Sequence, residues 1–229
     1  MHKRSLIVFL IAITATGWGQ RSNAPEYHKK DDDYLFRFGY YLGLNQVNFK
    51  TEYSSYTLDQ LEIQSQLGFN VGLFADMRIM KNINLRIEPG MFTTQRILTF
   101  PENWPEVRNP DNRERDVKST YIRVPLVIKF STNRIHNVRP FVVGGVSTSF
   151  NLSSNEKSRE DNDNGQFRLR TNTNAFELGL GVELYLPFFR LTPSIRGIFS
   201  VQDEIVPDDW TVAIQSLKTQ GIFLNFIFQ

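Results

Sequence analysis

The sequence AFELGLGVELYL at residues 175–186 alternates large apolar residues with small, charged or amphipathic ones. The apolar set is Phe176, Leu178, Leu180, Val182, Leu184 and Leu186, and the intervening set is Glu177, Gly179, Gly181, Glu183 and Tyr185. Because side chains alternate across an extended chain, this period of two predicts a β-strand with one apolar and one polar face. The apolar face suits a protein core or lipid, and about ten residues suffice for a tilted membrane-spanning strand.

Similar alternation recurs in about eight segments from residue 35 to the C-terminus. Long polar connections at 46–64, 100–115, 153–168 and 202–216 alternate with short ones at 80–83, 131–137 and 187–188. Outer-membrane barrels are built in this way, with short periplasmic turns and long extracellular loops. We therefore predict an all-β, eight-stranded antiparallel up-and-down transmembrane β-barrel whose N- and C-termini are both periplasmic. Pro89, Pro125 and Pro193 fall within predicted strands and indicate bulges.

The rival fold is a soluble sandwich or lipocalin-like barrel, in which the apolar residues would point inward. The charges decide against it, because one face of nearly every strand is almost free of them, as hydrocarbon requires. The opposite face is predicted to carry a charge network in the lumen, comprising Arg37, Asp76, Arg78, Arg86, Glu88, Arg96, Arg123, Lys129, Glu177, Glu183, Arg190 and Arg196. Buried charges must be paired, so we expect Glu177 and Glu183 to serve as counter-ions for Arg86, Arg123 or Arg196. A selective pore is the alternative use of such a lumen.

The N-terminus begins with a basic Met-His-Lys-Arg sequence and continues with a short apolar run. This pattern predicts a signal peptide at residues 1–19, followed by a periplasmic tail at 20–34 and the barrel at 35–229. Loss of Lys3 and Arg4 with the signal peptide lowers the formal charge from +2 to zero. The mature chain therefore has no basic excess of the kind that supports nucleic-acid binding.

Catalytic and cofactor chemistry have little support in the composition. The chain has no Cys, and the mature part keeps two histidines, His28 and His136, without metal-ligand spacing. We expect no enzyme activity, metal, cofactor or small-molecule substrate. Aromatic residues near the predicted strand ends are typical of interfacial girdles in contact with outer-membrane lipid: Tyr34, Phe100, Tyr185, Phe188 and Phe228.

Several stretches resemble one family of outer-membrane barrels from the Bacteroidota, called PorT, or SprT in gliding bacteria. They are DVKSTYIRVPL at 116–126, RPFVVGGVS at 139–147, NLSSNEKS at 151–158, PSIRG at 193–197 and KTQGIFLN at 218–225. The resemblance implies an accessory or assembly component of the type IX secretion system, which also supports gliding motility in some species, with other secretion proteins as partners. The candidate partner-contact loop is Asn155, Glu156, Lys157 and Ser158. The alternative is a structural or adhesive surface barrel with no role in secretion.

Overall fold

The computed structural model describes residue 27 and residues 34–53, 61–104, 113–154, 169–206 and 214–229. These form a single antiparallel sheet with the strands β1 (Phe36–Tyr53), β2 (Glu62–Ser65), β3 (Leu67–Met80), β4 (Ile83–Ile87), β5 (Gly90–Thr99), β6 (Glu114–Ser131), β7 (Val138–Asn151), β8 (Asn172–Tyr185), β9 (Arg190–Ser200) and β10 (Ile214–Phe228). In this described part of the chain, no helix is long and apolar enough to cross a membrane.

The sheet closes into a ring of eight strand positions, which confirms the predicted barrel. We call each position a stave; six hold one strand and two hold a pair of consecutive strands. Strand β1 pairs with β10 on one side and with β3 on the other, so that Leu42 lies opposite both Phe226 and Val71. Two staves are interrupted: β2 continues as β3, and β4 continues as β5. The start of β1 and the end of β10 lie at the end of the barrel that carries the turns 81–82, 132–137 and 186–189, which we call the short-turn end. We call the opposite end the long-loop end.

The three prolines that were predicted to mark bulges lie where the ladder is interrupted. Pro89 stands between β4 and β5, and its carbonyl accepts a hydrogen bond from the Leu73 N–H at 2.9 Å. Pro125 lies opposite this break, where the Glu88 N–H bonds to its carbonyl at 3.2 Å. Pro193 falls in a gap of the β8–β9 register. Because proline has no N–H to donate, these gaps accommodate it without leaving a neighbouring acceptor unpaired.

A continuous apolar surface covers the outside of the barrel. On β8, Phe176, Leu178 and Leu180 are all more than half exposed, and comparable exposed residues occur on the other full-length staves, among them Phe38, Leu42, Phe69, Leu126, Val142, Ile195 and Ile222. An apolar surface of this extent is far larger than a soluble monomer tolerates. Its position on the outward side of every full-length stave matches the lipid-facing band of a transmembrane barrel.

Three strands extend further toward the long-loop end than the sequence pattern predicted. The polar stretch that was expected to begin at residue 46 is strand up to Tyr53, and β10 begins at Ile214 inside a predicted loop. Strand β6 likewise starts at Glu114. The physical reason is an apolar cluster inside this end of the barrel, which we call the cap: Phe49, Leu61, Leu98, Phe100, Trp104, Val117, Leu169, Ile205, Ile214 and Leu217.

The aromatic girdle was predicted partly incorrectly. Tyr34 and Phe188 are exposed, and Phe228 is half-buried and stacks on the outward-facing Tyr40 with ring centroids 5.3 Å apart. Phe100 and Tyr185 are instead buried inside the barrel, with 0% and 1% of their surfaces exposed. Phe100 packs in the cap against Trp104, and Tyr185 has the inward parity of Glu183, to which its hydroxyl donates a hydrogen bond. Proximity to a strand end therefore did not decide which way these rings point.

A charge on the lipid-facing side of β8 should be costly at mid-depth and tolerated at the strand end. We expect Leu180→Arg to lower the free energy of unfolding by about 2–4 kcal/mol, because the guanidinium must be accommodated in hydrocarbon. The matched control is Asn172→Arg, on the same face at the first residue of β8, with an expected cost of about 0–1 kcal/mol. Urea unfolding in lipid vesicles, followed by gel mobility, measures both. Equal costs would show that this face does not meet lipid.

Candidate functional site: the lumen of the barrel

The lumen at the short-turn half holds a connected set of nine charged side chains, which we call the ion-pair network. Its members are Arg37, Asp76, Arg86, Glu88, Arg123, Lys129, Glu177, Glu183 and Arg196. They come from strands β1, β3, β6, β8 and β9 and from the β4 stave. Because alternate residues of each strand point inward, these positions converge on the barrel axis although they are far apart in sequence.

Asp76 is the centre of one half of the network. Its Oδ2 accepts hydrogen bonds from Arg86 Nη2 at 2.6 Å and from Lys129 Nζ at 3.1 Å. Its Oδ1 accepts from Asn84 Nδ2 at 2.5 Å and from Arg37 Nη2 at 3.3 Å. The Asp76 side chain is fully buried, so each of these donors replaces water that the carboxylate loses on folding.

Arg196 is the centre of the other half. Its Nη1 and Nη2 donate to the two oxygens of Glu88 at 2.8 and 3.0 Å, and Nη1 also donates to Glu177 at 3.0 Å. The pairing with Glu88 is bidentate, the arrangement that the planar guanidinium favours. Arg86 lies 3.5 Å from Glu88 and so joins the two halves.

The two glutamates of β8 have different partners. Glu177 pairs with Arg196 and lies 3.7 Å from Arg123, in line with the sequence-based expectation. Glu183 instead binds Lys129 Nζ at 2.7 Å and accepts a hydrogen bond from the Tyr185 hydroxyl at 3.1 Å. The residue pattern shows which side of a strand faces the lumen, but it does not show which residues of other strands lie at the same depth along the barrel axis. Lys129 therefore could not be predicted as the partner of Glu183.

The remaining predicted lumen residues lie above or below the network. Arg96 has no exposed surface; its guanidinium lies 3.8 Å from the centroid of the Phe49 ring in the cap. Arg190 lies at the short-turn end, where Nη1 donates to Gln229 at 3.0 Å. Arg78 is half-buried at the end of β3, and its backbone N–H bonds to the Leu35 carbonyl at 2.8 Å.

Several buried polar residues were missed by the sequence-based reasoning. Asn70 Nδ2 donates to Asn225 Oδ1 at 2.6 Å over Gly43 of the intervening β1, and both residues lie on the inward parity that their strands already showed. Tyr41 fills space left by Gly72 and Gly90, where an added Cβ would lie 2.5 and 2.0 Å from the tyrosine oxygen. Parity would have found the asparagines, whereas the fit of Tyr41 against two glycines depends on strand register.

A small cavity separates the ion-pair network from the cap. Its volume is about 20 Å³, enough for one water molecule, and Arg123, Thr219 and Glu204 are among its lining residues. Glu204 lies in the connection after β9 and is 1% exposed. Burial raises the pKa of the Glu204 carboxyl, while the nearby Arg96 and the hydrogen bond from the Thr219 N–H at 3.3 Å oppose this rise.

The predicted partner-contact loop, Asn155, Glu156, Lys157 and Ser158, lies outside the described residues. The structure describes Ser154 and Leu169, which flank residues 155–168, and Ser154 Oγ donates to the Leu169 carbonyl at 2.7 Å. Leu169 is itself part of the cap. The two described residues that flank 155–168 therefore lie close together at the long-loop end.

The lumen geometry favours structural ion pairing over chemistry. Each of the four network carboxylates is within ion-pair distance of at least one cation, and five cations against four carboxylates leave one positive charge. Within the described ranges, no group of three or more His, Asp or Glu residues is arranged to hold a metal ion. The network joins five strands and the β4 stave through side chains alone, which holds opposite walls of the barrel together.

Removal of Arg196 should destabilise the barrel strongly. We expect Arg196→Met to lower the free energy of unfolding by about 3–5 kcal/mol, because Glu88 and Glu177 would be left as buried charges without their main partner. Lys118→Met is the matched control: it breaks an exposed ion pair with Asp116 at 2.8 Å and should cost about 0–1 kcal/mol. Urea unfolding in vesicles compares the two. Similar losses for both variants would contradict the role assigned to the network.

Comparison with known proteins found similar solved structures and a matching family model. The chain is similar to the outer membrane protein OprG of Pseudomonas aeruginosa (10% identity, 84% of this chain and 91% of that chain, TM-score 0.49). It is also similar to AlkL in lipid bilayers (12%, 92% and 94%, 0.43) and to Ail, the attachment invasion locus protein of Yersinia pestis (15%, 83% and 96%, 0.40). No curated protein matches. The family model for the outer membrane protein β-barrel domain matches residues 19–206, and the chain belongs to this family.

Proposed function

We propose that this outer-membrane barrel is a non-enzymatic, non-conducting accessory component of the type IX protein secretion system, and of gliding motility where that occurs. On this proposal it acts through contacts with other secretion proteins. The observation that carries the non-conducting part is the ion-pair network across the lumen. The secretion role is supported by the resemblance of five sequence stretches to the PorT family.

The lumen is filled from wall to wall at two depths. In the network, Asp76, Arg86 and Lys129 have no exposed surface. In the cap, Leu98, Phe100 and Leu217 have none either. An ion crossing the barrel would have to separate buried ion pairs and then pass an apolar layer, and both steps carry a high free-energy cost. If the lumen is closed, the protein acts through the surfaces at the two ends of the barrel.

The long-loop end is the surface that we assign to partner contact, and we place it outside the cell, with both termini in the periplasm. The candidate loop with Asn155, Glu156, Lys157 and Ser158 follows Ser154, which bonds there to Leu169 of the cap. A rigid platform of this kind suits recognition, because connections that carry function are commonly held by a fixed scaffold.

Gene deletion tests the secretion role. We expect a deletion strain to lose export of type IX substrates, and the wild-type gene to restore it. A strain that carries the chain with residues 155–158 replaced by Gly-Ser-Gly-Ser, at equal barrel abundance in the membrane, should also lose export if this loop contacts the machinery. Intact export in the deletion strain would exclude the secretion role and leave the alternative of a structural or adhesive surface barrel.

The alternative is favoured by the same closed lumen, since a surface barrel also needs no pore. The two functions predict different phenotypes of the deletion strain. For a surface barrel, attachment or envelope integrity would change while secreted proteins keep their normal amounts. Secretome analysis and adhesion assays on one pair of strains therefore discriminate between the two functions.

Reconstitution in planar bilayers tests the closed lumen. We expect the folded protein to give no stepwise conductance, because the ion-pair network and the cap fill the lumen. A folded porin reconstituted in the same way serves as the positive control for the measurement. Steady single-channel steps from the wild-type barrel would contradict the closed lumen, independently of any result on secretion.

A further inference from the structure

Tyr27 is held at the short-turn end by its backbone. Its N–H donates to Asn137 Oδ1 at 3.0 Å, and its carbonyl accepts a hydrogen bond from Arg134 Nη2. Both hydrogen-bonding groups of this one residue are thus satisfied by two side chains of the turn between β6 and β7. We infer that Arg134 and Asn137 form a docking site for the chain's own N-terminal segment, which they recognise through the peptide backbone at Tyr27.

The docking site has supports of its own within the barrel. Arg134 Nη2 also donates to Asn137 Oδ1 at 3.0 Å, and the Asn137 carbonyl accepts the Tyr185 N–H at 2.9 Å. The Arg134 guanidinium lies 3.7 Å from the centroid of the Tyr185 ring, which fixes its plane. These contacts orient the donor and the acceptor before the N-terminal segment arrives, so docking orders few additional side chains.

The site is coupled to the ion-pair network. The Tyr185 ring that supports Arg134 also lies 4.3 Å from the Arg190 guanidinium, and its hydroxyl donates to Glu183. Glu183 in turn binds Lys129. Arg134 therefore packs on a side chain whose position is fixed by contacts inside the lumen. The docking site is thereby held in place by the barrel itself.

The position of Tyr27 places two parts of the N-terminal segment on opposite sides of the ring. Leu35, just before β1, bonds through its carbonyl to Arg78 at the end of β3. The β6–β7 turn that holds Tyr27 lies across the ring from β1. Two staves, β2/β3 and β4/β5, separate β6 from β1 on one side, and three, β8, β9 and β10, separate β7 from β1 on the other. Eight residues can span at most about 26–29 Å, which is sufficient to cross an eight-stranded barrel.

Charge complementarity favours the same occupant. The sequence between Tyr27 and β1 contains Lys29 and Lys30 followed by Asp31, Asp32 and Asp33, so its net charge is −1 and its acidic residues are the ones next to β1. The short-turn end carries Arg134, Arg139 and Arg190, and the Arg139 side chain is fixed by hydrogen bonds to the Thr132 and Lys81 carbonyls. The three aspartates, attached close to this basic end, are drawn toward it over distances up to the Debye length.

Recognition through the backbone makes a distinctive prediction about Tyr27. Tyr27→Pro removes the N–H that Asn137 accepts, whereas Tyr27→Ala keeps it. The proline variant should release the segment and the alanine variant should retain it. On the barrel side, Asn137→Leu removes the acceptor, Asn137→Asp keeps carboxylate oxygens in its place, and Asn133→Ala in the same turn is the matched control.

Two spin labels measure docking in the full-length mature protein. Since the chain has no Cys, His28→Cys and Phe188→Cys give two defined label positions, the second on the exposed β8–β9 turn. We expect a narrow distance distribution for the parent protein and for Tyr27→Ala, Asn137→Asp and Asn133→Ala. Tyr27→Pro and Asn137→Leu should broaden it about twofold or more, toward that of a flexible linker.

Heat-modifiable gel migration shows in each sample that the barrel is folded, and removal of residues 20–33 should leave that migration unchanged. Tyr27 lies outside the barrel strands, so the comparison of Tyr27→Pro with Tyr27→Ala remains informative even if an Asn137 variant fails to fold. A broad distribution in the parent protein would overturn the docking site. A narrow distribution that persists in Tyr27→Pro would overturn recognition through the backbone.

Discussion

The ion pairs inside the barrel are the interaction on which the rest of the structure depends. A closed ring of eight staves brings charged side chains from opposite walls within hydrogen-bonding distance, and Asp76 and Arg196 each satisfy several partners there. Such charges are expensive to bury singly and stabilising only as a complete set. The network thus joins opposite walls through side chains and fills this part of the lumen.

The apolar cap complements the network at the opposite end. Charged residues fill the lumen toward the short turns, whereas Trp104, Leu169 and Ile205 enter from the connections and pack on apolar strand residues near the long loops. The ion-pair network and the cap are stabilised by different interactions, because ion pairs require specific partners whereas apolar side chains require only suitable shape and volume. Connections that close onto an apolar layer can vary in sequence while the scaffold beneath them stays the same.

The residue pattern was sufficient for the fold and for the side of each strand that faces the lumen. Parity along β8 placed Glu177 and Glu183 inside and Leu178 and Leu180 outside, and the structure shows the same sides. It was insufficient for strand length, since polar residues such as Asn48 and Lys50 on the outward side concealed Val47 and Phe49 on the inward side. The girdle assignment of Phe100 and Tyr185 failed because it relied on position along the strand and neglected parity.

The sequence by itself determined the period of two, the alternation of connection lengths and the separation of charge from the lipid-facing side, because these are local properties of neighbouring residues. Only the tertiary structure decided that Glu183 pairs with Lys129, that Arg196 pairs with Glu88 and that the Tyr27 N–H donates to Asn137. Those contacts join residues that ring closure brings together, and the shear between strands sets their depth. The strand that contains residues 175–185 is thus defined by its own alternation, while the partners of its two glutamates are defined by the other strands around the lumen.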